Sequence, residues 1–473
     1  MKAIIPVFDS SLSRPYYLQL YDYIKNAILT GEMHTDEKLP SLRGLAAALS
    51  LSITTIEQAY GQLAVEGYIY SRPQSGYFVS SIANPAVASE AARELSFDGS
   101  LSEDLPPFLY DLSCFDFNKW KKCTAKVLTE YSHLLLFESD PQGETALRYE
   151  ISKYVYRSRG VICTPEQIVI GAGTQQITGQ LTTILAKMGI AHVAVEEPGY
   201  LPVRSIFRDR GFAMTPVAVQ KDGIDIAMLP QNIRSAVYVS PSNQFPTGAV
   251  MPVGRRYALL DWAVRNDSVI LEDDYDSELR YFGKPIPALQ GLDTRERVVY
   301  LGSFSSTTFP SLKISYMVLP PGMAAIFRSI RADYVQTCSK IEQLTLALFM
   351  EQGLYQTNIK KLRSLYSQKL QAVTNAFHKY GRGLVHPVNT SSGINIILRV
   401  SAAKSPSALC RDARAIGVLA LPVARKEADG SKAPAALTVY YNQIPLDIID
   451  SLVCRLTELW RQPREQESPG NGV

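Results

Sequence analysis

Seven short apolar runs, each closing in small or polar residues, constrain this chain more than any other feature. They fall at 168–171, 192–196, 213–219, 236–240, 268–272, 298–301 and 314–319, with amphipathic segments between several of them. Brief runs rich in Val and Ile and bounded by turn signals are buried strands. Strands that alternate with helices predict a largely parallel sheet covered on both faces. Such sheets hold ligands at the carboxyl ends of their strands, where the chain turns into helix N-termini. Three of those ends carry chemistry. Gly171-Ala172-Gly173-Thr174-Gln175 closes the first run, Glu272-Asp273-Asp274-Tyr275-Asp276 the fifth, and Ser303-Phe304-Ser305-Ser306 follows the sixth.

The first eighty residues have a different pattern. Tyr16–Thr30 places Leu18, Tyr21, Ile24 and Ile28 on one helical face, with Gly31 as the stop. Ser41 is the expected N-cap of a second helix carrying Leu42, Leu45, Ala46 and Leu49. A third helix starts at a capping Ser52, with Ile53, Ile56, Ala59 and Leu63 inward and Thr54, Thr55, Gln58 and Gln62 outward. Tyr68–Tyr70 and Tyr77–Val79 then pair as a hairpin around Pro73-Gln74-Ser75-Gly76. Helix, helix–turn–helix and β-wing is the layout of a winged helix DNA-binding domain. In that layout Arg43 holds a phosphate or a base edge, and Thr54, Thr55 and Gln58 face the major groove. Arg72 and the Gly76 wing tip approach the backbone or the minor groove. Residues 1–80 carry six Lys/Arg against seven Asp/Glu. No basic stripe is present, so affinity is expected to rest on dimerisation.

Residues 81–107 are rich in Ala, Ser, Glu and Pro and predict a flexible linker; the polar tail from Gln462 predicts disorder. With 473 residues and 46% apolar content the chain can bury two or three cores. A net charge of +3 favours neither a membrane surface nor indiscriminate nucleic-acid binding. The six cysteines are scattered without a C-x-x-C pair or a histidine cluster, so no disulfide framework or metal site is expected. The N-terminal apolar run is too short for a signal peptide and is interrupted by Asp9, and no run approaches a bilayer's thickness. A cytoplasmic protein is expected.

Two sets of motifs carry a family resemblance. K-L-P-S-x-R-x-L-A (residues 38–46), E-G-Y (66–68) and S-G-Y-F-V (75–79) resemble the GntR type of winged helix. GAGTQQ, EEPGY, SPSNQFPTG, EDDYDSE and the GSFSS–PSLKISY segment resemble a fold type I pyridoxal 5′-phosphate (PLP) domain. Together they are similar to MocR/GabR-type transcriptional regulators over nearly the entire chain. The resemblance implies a multidomain protein. An α+β winged helix at 1–80 precedes an α/β aminotransferase-like domain at 108–473, with a mostly parallel seven-stranded sheet. The large subdomain would span about 150–325, and a small C-terminal α+β subdomain about 326–461 plus the start of the domain.

The resemblance also assigns a PLP site. Gly173, Thr174 and Gln175 at a helix start would cradle the phosphate, with hydroxyls from Ser303 and Ser305. Lys313 takes the place of the family's phosphate-binding arginine, keeping the charge but losing the fork. Asp273 would pair with the pyridine nitrogen, Tyr275 reach the ring hydroxyl, and Tyr200 stack on the ring. Ser306 stands where the family has the lysine that carries PLP covalently. Lys284 already matches a basic family position and is a poor substitute. Of the arginines that hold a ligand carboxylate in the GABA-sensing members, one site is Leu201-Pro202 here, with Arg204 out of register, and the other aligns with Gln443.

The function expected from these residues is a DNA-binding regulator whose aminotransferase-like domain forms a homodimer and senses a small ligand. Without the lysine the ligand, PLP or a PLP adduct or a related metabolite, is held non-covalently. No residue is expected to be catalytic. Two alternatives stand beside it: a PLP aminotransferase with an appended domain, and a ligand-independent repressor. A trapped cofactor adduct would favour the first, and promoter binding indifferent to small molecules the second. The cytoplasm, with association to the nucleoid, is the implied location.

Overall fold

The computed structural model describes Pro6, Phe8 and residues 14–81, 108–281, 286–388, 393–423 and 435–462. The predicted linker beyond Ser81, Lys284 and the tail beyond Gln462 lie outside the described residues. The chain forms two compact units, Met1–Asp104 and Leu105–Val473.

In the first unit α1 (Tyr16–Leu29), α2 (Leu42–Leu49) and α3 (Ile53–Val65) precede a hairpin of β1 (Ile69–Arg72) and β2 (Gly76–Val79). Two serines fix the helix starts. Ser41 Oγ accepts the Gly44 N–H and Ser52 Oγ the Thr55 N–H, each at 3.1 Å, which satisfies donors that a first turn leaves without intrahelical partners. Gly31, at φ 78°, takes the left-handed turn after α1. Leu20, Ile24, Leu45, Ile56, Tyr60 and Leu63 form the core. Two expectations are corrected. Leu18 is only half-buried, and Leu20 packs in its stead. Ile53 is 48% exposed, because it sits a turn ahead of the buried stripe Ile56, Ala59, Tyr60 and Leu63. The hairpin pairs out to Arg72↔Gly76, further than expected. Gln74 at φ 60° and Gly76 at φ 104° allow so tight a connection.

The second unit is built on an eight-stranded sheet. Its strands are β3 (Ile168–Ala172), β4 (His192–Glu197), β5 (Ala213–Gln220), β6 (Gly223–Ile224), β7 (Ala236–Val239), β8 (Val269–Asp273), β9 (Val298–Ser303) and β10 (Ile314–Val318). Their order is β3-β10-β9-β8-β7-β4-β5-β6. All seven predicted runs are strands; the eighth, β6, is a two-residue antiparallel partner of β5. Pairs β5–β4, β4–β7, β7–β8 and β8–β9 are parallel, and β10 runs against both its neighbours.

The helices α4 (Phe117–Glu130), α5 (Thr145–Arg159), α6 (Thr174–Lys187), α7 (Leu201–Asp209), α8 (Val253–Arg265), α9 (Pro321–Ile330), α10 (Lys340–Glu351) and α11 (Leu354–Tyr380) complete this part. Strand alternation explains why its runs are apolar throughout. Ile168 and Ile170 pack with Leu147, Ile151 and Val155 of α5. Val169, on the opposite face, packs with Ile177, Leu181 and Ile184 of α6.

A small antiparallel sheet follows, β11 (Val385–Val388), β12 (Asn395–Val400), β13 (Ala420–Pro422) and β14 (Ala435–Tyr440), with order β11-β12-β14-β13. It shares a core with α11, α12 (Pro406–Ala415) and α13 (Ile449–Arg461), where Phe377 stacks on Trp460. Among the described residues no helix is long and apolar enough to cross a membrane, and no group of three metal-ligating side chains is gathered.

Candidate functional site

The sheet order brings the carboxyl ends of β3, β4, β7, β8 and β9 to one edge. A cavity of about 190 Å³ opens there. Of the residues predicted to hold a cofactor, Thr174, Tyr200, Asp273, Tyr275, Ser303, Ser305 and Ser306 line it. Gly173, at φ 88°, makes the turn that starts α6. Gln175 and Lys313 are exposed and do not line the cavity, and Lys313 is left-handed at φ 53°. Arg204 is also outside the lining and bonds Glu197 Oε2 at 2.5 Å; Gln443 is outside it as well. Sequence reasoning missed Phe245, Asp276, Ile394, Asn395 and Tyr440. The last three come from the small subdomain, so the cavity lies between it and the sheet edge.

The acidic run at the end of β8 is sorted by strand alternation. Glu272 and Asp274 turn to one side and Asp273 to the other. Glu272 accepts the N–H groups of Leu289 and Gln290 at 2.7 and 2.8 Å. Asp274 takes a bidentate pair from Arg159 at 2.6 and 2.9 Å, and the Tyr300 hydroxyl at 2.5 Å. Asp273 faces the cavity and accepts a hydrogen bond from the Tyr238 hydroxyl of β7. Burial pushes its carboxyl up to about 6, and the Tyr238 bond pulls the other way. Beneath it, Glu196 accepts from Gln244 Nε2 at 3.1 Å and the Ser240 N–H at 3.3 Å, and burial pushes it up to about 8.

One carboxylate has no such arrangement. Asp276, at φ 55° and 2% exposed, lines the cavity, and neither of its oxygens has a hydrogen-bond partner among the described residues. Burial pushes it up to about 7; the Ser306 hydroxyl and the Ile394 N–H pull the other way without reaching bonding geometry. One wall is aromatic. Phe245 meets Tyr200 at 6.0 Å and Tyr275 at 5.9 Å between ring centroids, both edge to face. At the other end Ser303 Oγ accepts from Ser315 Oγ at 3.0 Å.

On the winged helix Arg43, Thr54 and Gln58 are exposed. Ser52 caps α3, and Thr55 Oγ1 lies 2.7 Å from Ser52 Oγ, so that hydroxyl belongs to the cap. Arg72 folds back within the wing. Its Nη2 is 3.2 Å from Asp36 Oδ1 and 2.5 Å from the Tyr70 hydroxyl, and the guanidinium sits 4.6 Å over the Phe78 ring. The Arg72–Asp36 pair is solvent-exposed and holds Arg72 by at most about 1 kcal/mol, which a phosphate can compete with.

Residues 16–79 match the model of bacterial regulatory proteins, gntR family, and residues 109–424 that of aminotransferase class I and II. The chain is 39% identical to YdeL, an HTH-type transcriptional regulator of Bacillus subtilis, across 89% of this chain and 91% of that one. It is 31% identical to MocR of Rhizobium meliloti, a probable rhizopine catabolism regulatory protein, across 89% of each. This chain belongs to the MocR-type family of gntR regulators. The MocR-type architecture accounts for the two units, a DNA-binding winged helix and an aminotransferase-like domain. A kynurenine aminotransferase from Pyrococcus horikoshii shares the fold of the second, with a TM-score of 0.63, at 22% identity across 74% of this chain and 88% of that one.

Proposed function

We propose that this MocR-type regulator binds DNA as a homodimer and senses a vitamin B6 phosphate held without a covalent bond in the aminotransferase-like domain. The observation that carries the reading is Asp273, a buried carboxylate at a strand end that faces a cavity walled by Tyr200, Phe245 and Tyr275. That donor set fits a phosphorylated pyridine. Asp273 takes the ring N–H, Tyr200 covers the ring face, and Tyr275 reaches the ring hydroxyl. The α6 N-terminus at Gly173, Thr174 and Gln175, with Ser303 and Ser305, takes the phosphate; Lys313, exposed and outside the lining, is not part of that cradle. Bound PLP would supply an electron sink. Ser306, in the position of the family's covalent lysine, cannot attach it. The absence of that amine and the kinship to regulators both favour a sensor over an enzyme.

Titrating the full chain with PLP, followed by thermal unfolding and borohydride reduction, tests this. Saturable stabilisation with no mass adduct is expected; at a hundred times Kd it amounts to about 2.7 kcal/mol. An adduct would mean that another lysine reacts and would return the enzyme reading. No stabilisation would end the cofactor reading. Asp273→Asn should weaken the cofactor roughly thirtyfold by calorimetry, about 2 kcal/mol for a lost charge-assisted hydrogen bond.

For DNA, the two expected roles separate in a salt titration on an operator selected from a random pool. Arg43→Ala should weaken selected and scrambled duplexes alike and lower the log–log salt slope by about one. Gln58→Ala should instead narrow the gap between the two duplexes by about 1–3 kcal/mol and leave the slope unchanged. Equal effects of both variants on both duplexes would remove α3 from the major groove.

A further inference from the structure

Asp276 is a buried carboxyl that no cation answers within the cavity. Its oxygens have no partner among the described residues, although it is 2% exposed and lines the cavity. Every other acidic side chain at the end of β8 is satisfied, Glu272 by backbone N–H groups, Asp273 by Tyr238 and Asp274 by Arg159. A buried carboxylate without a partner costs several kcal/mol, so natural sites pair it or complete it with a ligand. No Lys, Arg or His stands among the described residues lining this cavity. From the cavity wall the Ser306 hydroxyl and the Ile394 N–H act on it and favour its charged form. The charged groups acting on it are Glu278 and Asp273, both anionic. Asp276 also borders a small recess lined by Arg159 and Arg280; Arg159 is committed to Asp274, and neither guanidinium bonds an Asp276 oxygen.

We infer that Asp276 is an ammonium-recognising residue, and that the cleft selects the amine form of the cofactor, pyridoxamine 5′-phosphate, over forms with a neutral group at the same carbon. This rests on the proposed B6-phosphate site. With the ring nitrogen at Asp273, the substituent para to it is the one that carries the amine, and it falls on the Ser306 side of the cleft. A small serine leaves room there for a ligand's –NH₃⁺, which supplies the cation that Asp276 lacks. The same carboxylate gives no advantage to an aldehyde or an alcohol.

The pH dependence follows with a definite sign. The ligand's alkylammonium stays protonated throughout the neutral range, whereas Asp276 takes up a proton as pH falls through about 7. The protonated carboxyl cannot pair with the ammonium, so the preference for the amine shrinks below pH 7. Phosphate ionisation is common to both ligands and cancels in their ratio.

The test is calorimetric titration of the full chain with pyridoxamine 5′-phosphate and with pyridoxine 5′-phosphate, its neutral alcohol counterpart. At pH 8 the amine should bind at least tenfold more tightly, and Asp276→Asn should bring that ratio close to one. A ratio near one in the unaltered chain, with both ligands bound, overturns the inference and leaves the B6-phosphate site standing. A ratio that survives Asp276→Asn overturns it too, since the amine is then read elsewhere. If neither ligand binds, the site itself is refuted and the inference goes with it. Should Asp276→Asn fail to fold, the unaltered chain's ratio between pH 6 and 8.5 decides: a rise with pH supports Asp276, and a flat ratio overturns it.

Discussion

Ser306→Lys should turn a chain that leaves no adduct after borohydride treatment with PLP into one that retains close to one cofactor per protomer by intact mass. Ser306 follows β9 in the turn that lines the cavity, half-buried and within the influence of Asp276. A lysine stem is long enough to reach across a cavity of this size, and the aromatic walls from Tyr200 to Tyr275 favour its methylenes. Two opposing terms set its reactivity. Burial lowers the amine's pKa and Asp276 raises it, so the adduct should form more completely as pH rises from 7 to 9. A variant that unfolds like the parent, binds PLP and still gives no adduct would show that position 306 does not face the reacting carbon. An adduct in the parent chain would show that serine is no barrier, because another amine serves.

Much of this architecture is legible in the sequence because it is periodic. The sheet runs are visible as apolar segments, since all of those strands but β5, which is largely open to solvent, are covered on both faces and no polar alternation disguises them. The capping serines Ser41 and Ser52 stand out for the same local reason: their side chains serve backbone groups three residues away. Asp273 and Tyr275 could be placed on one face from their spacing alone, and both line the cavity.

What escaped is tertiary. Asn395 and Tyr440 reach the cavity only because the small subdomain closes over the sheet edge, and no local pattern in either strand records that. Asp276 was in plain view within EDDYDSE, but that its oxygens lack a partner depends on which groups the fold packs around it. Ile53 misled because an apolar residue one turn ahead of a buried stripe satisfies the helical period without touching anything. Lys313 matched a family position, yet its side chain is exposed outside the lining.

Arg159→Met should cost the aminotransferase-like unit about 3–5 kcal/mol, the penalty for leaving a buried charge without its partner. Arg159 and Asp274 are both almost wholly buried, and their bidentate contact is reinforced by Ser242, the Ile286 carbonyl and the Tyr300 hydroxyl. Methionine fills the stem but leaves Asp274 with Tyr300 alone. All three tryptophans, Trp120, Trp262 and Trp460, lie in this unit, so intrinsic fluorescence in a urea titration reads it without interference from the winged helix. Adding Asp274→Leu to Arg159→Met should recover most of the loss, because an apolar pair costs less than half of an ion pair. A double variant as unstable as the single one would mean that the damage is in packing. The consequence reaches the ligand, since Asp274 is the neighbour of Asp273 and fixes the end of β8 from the side opposite the cavity. Arg159→Met should therefore weaken the B6 phosphate as well, without Arg159 ever touching it, and saturating ligand should return part of the lost stability by mass action.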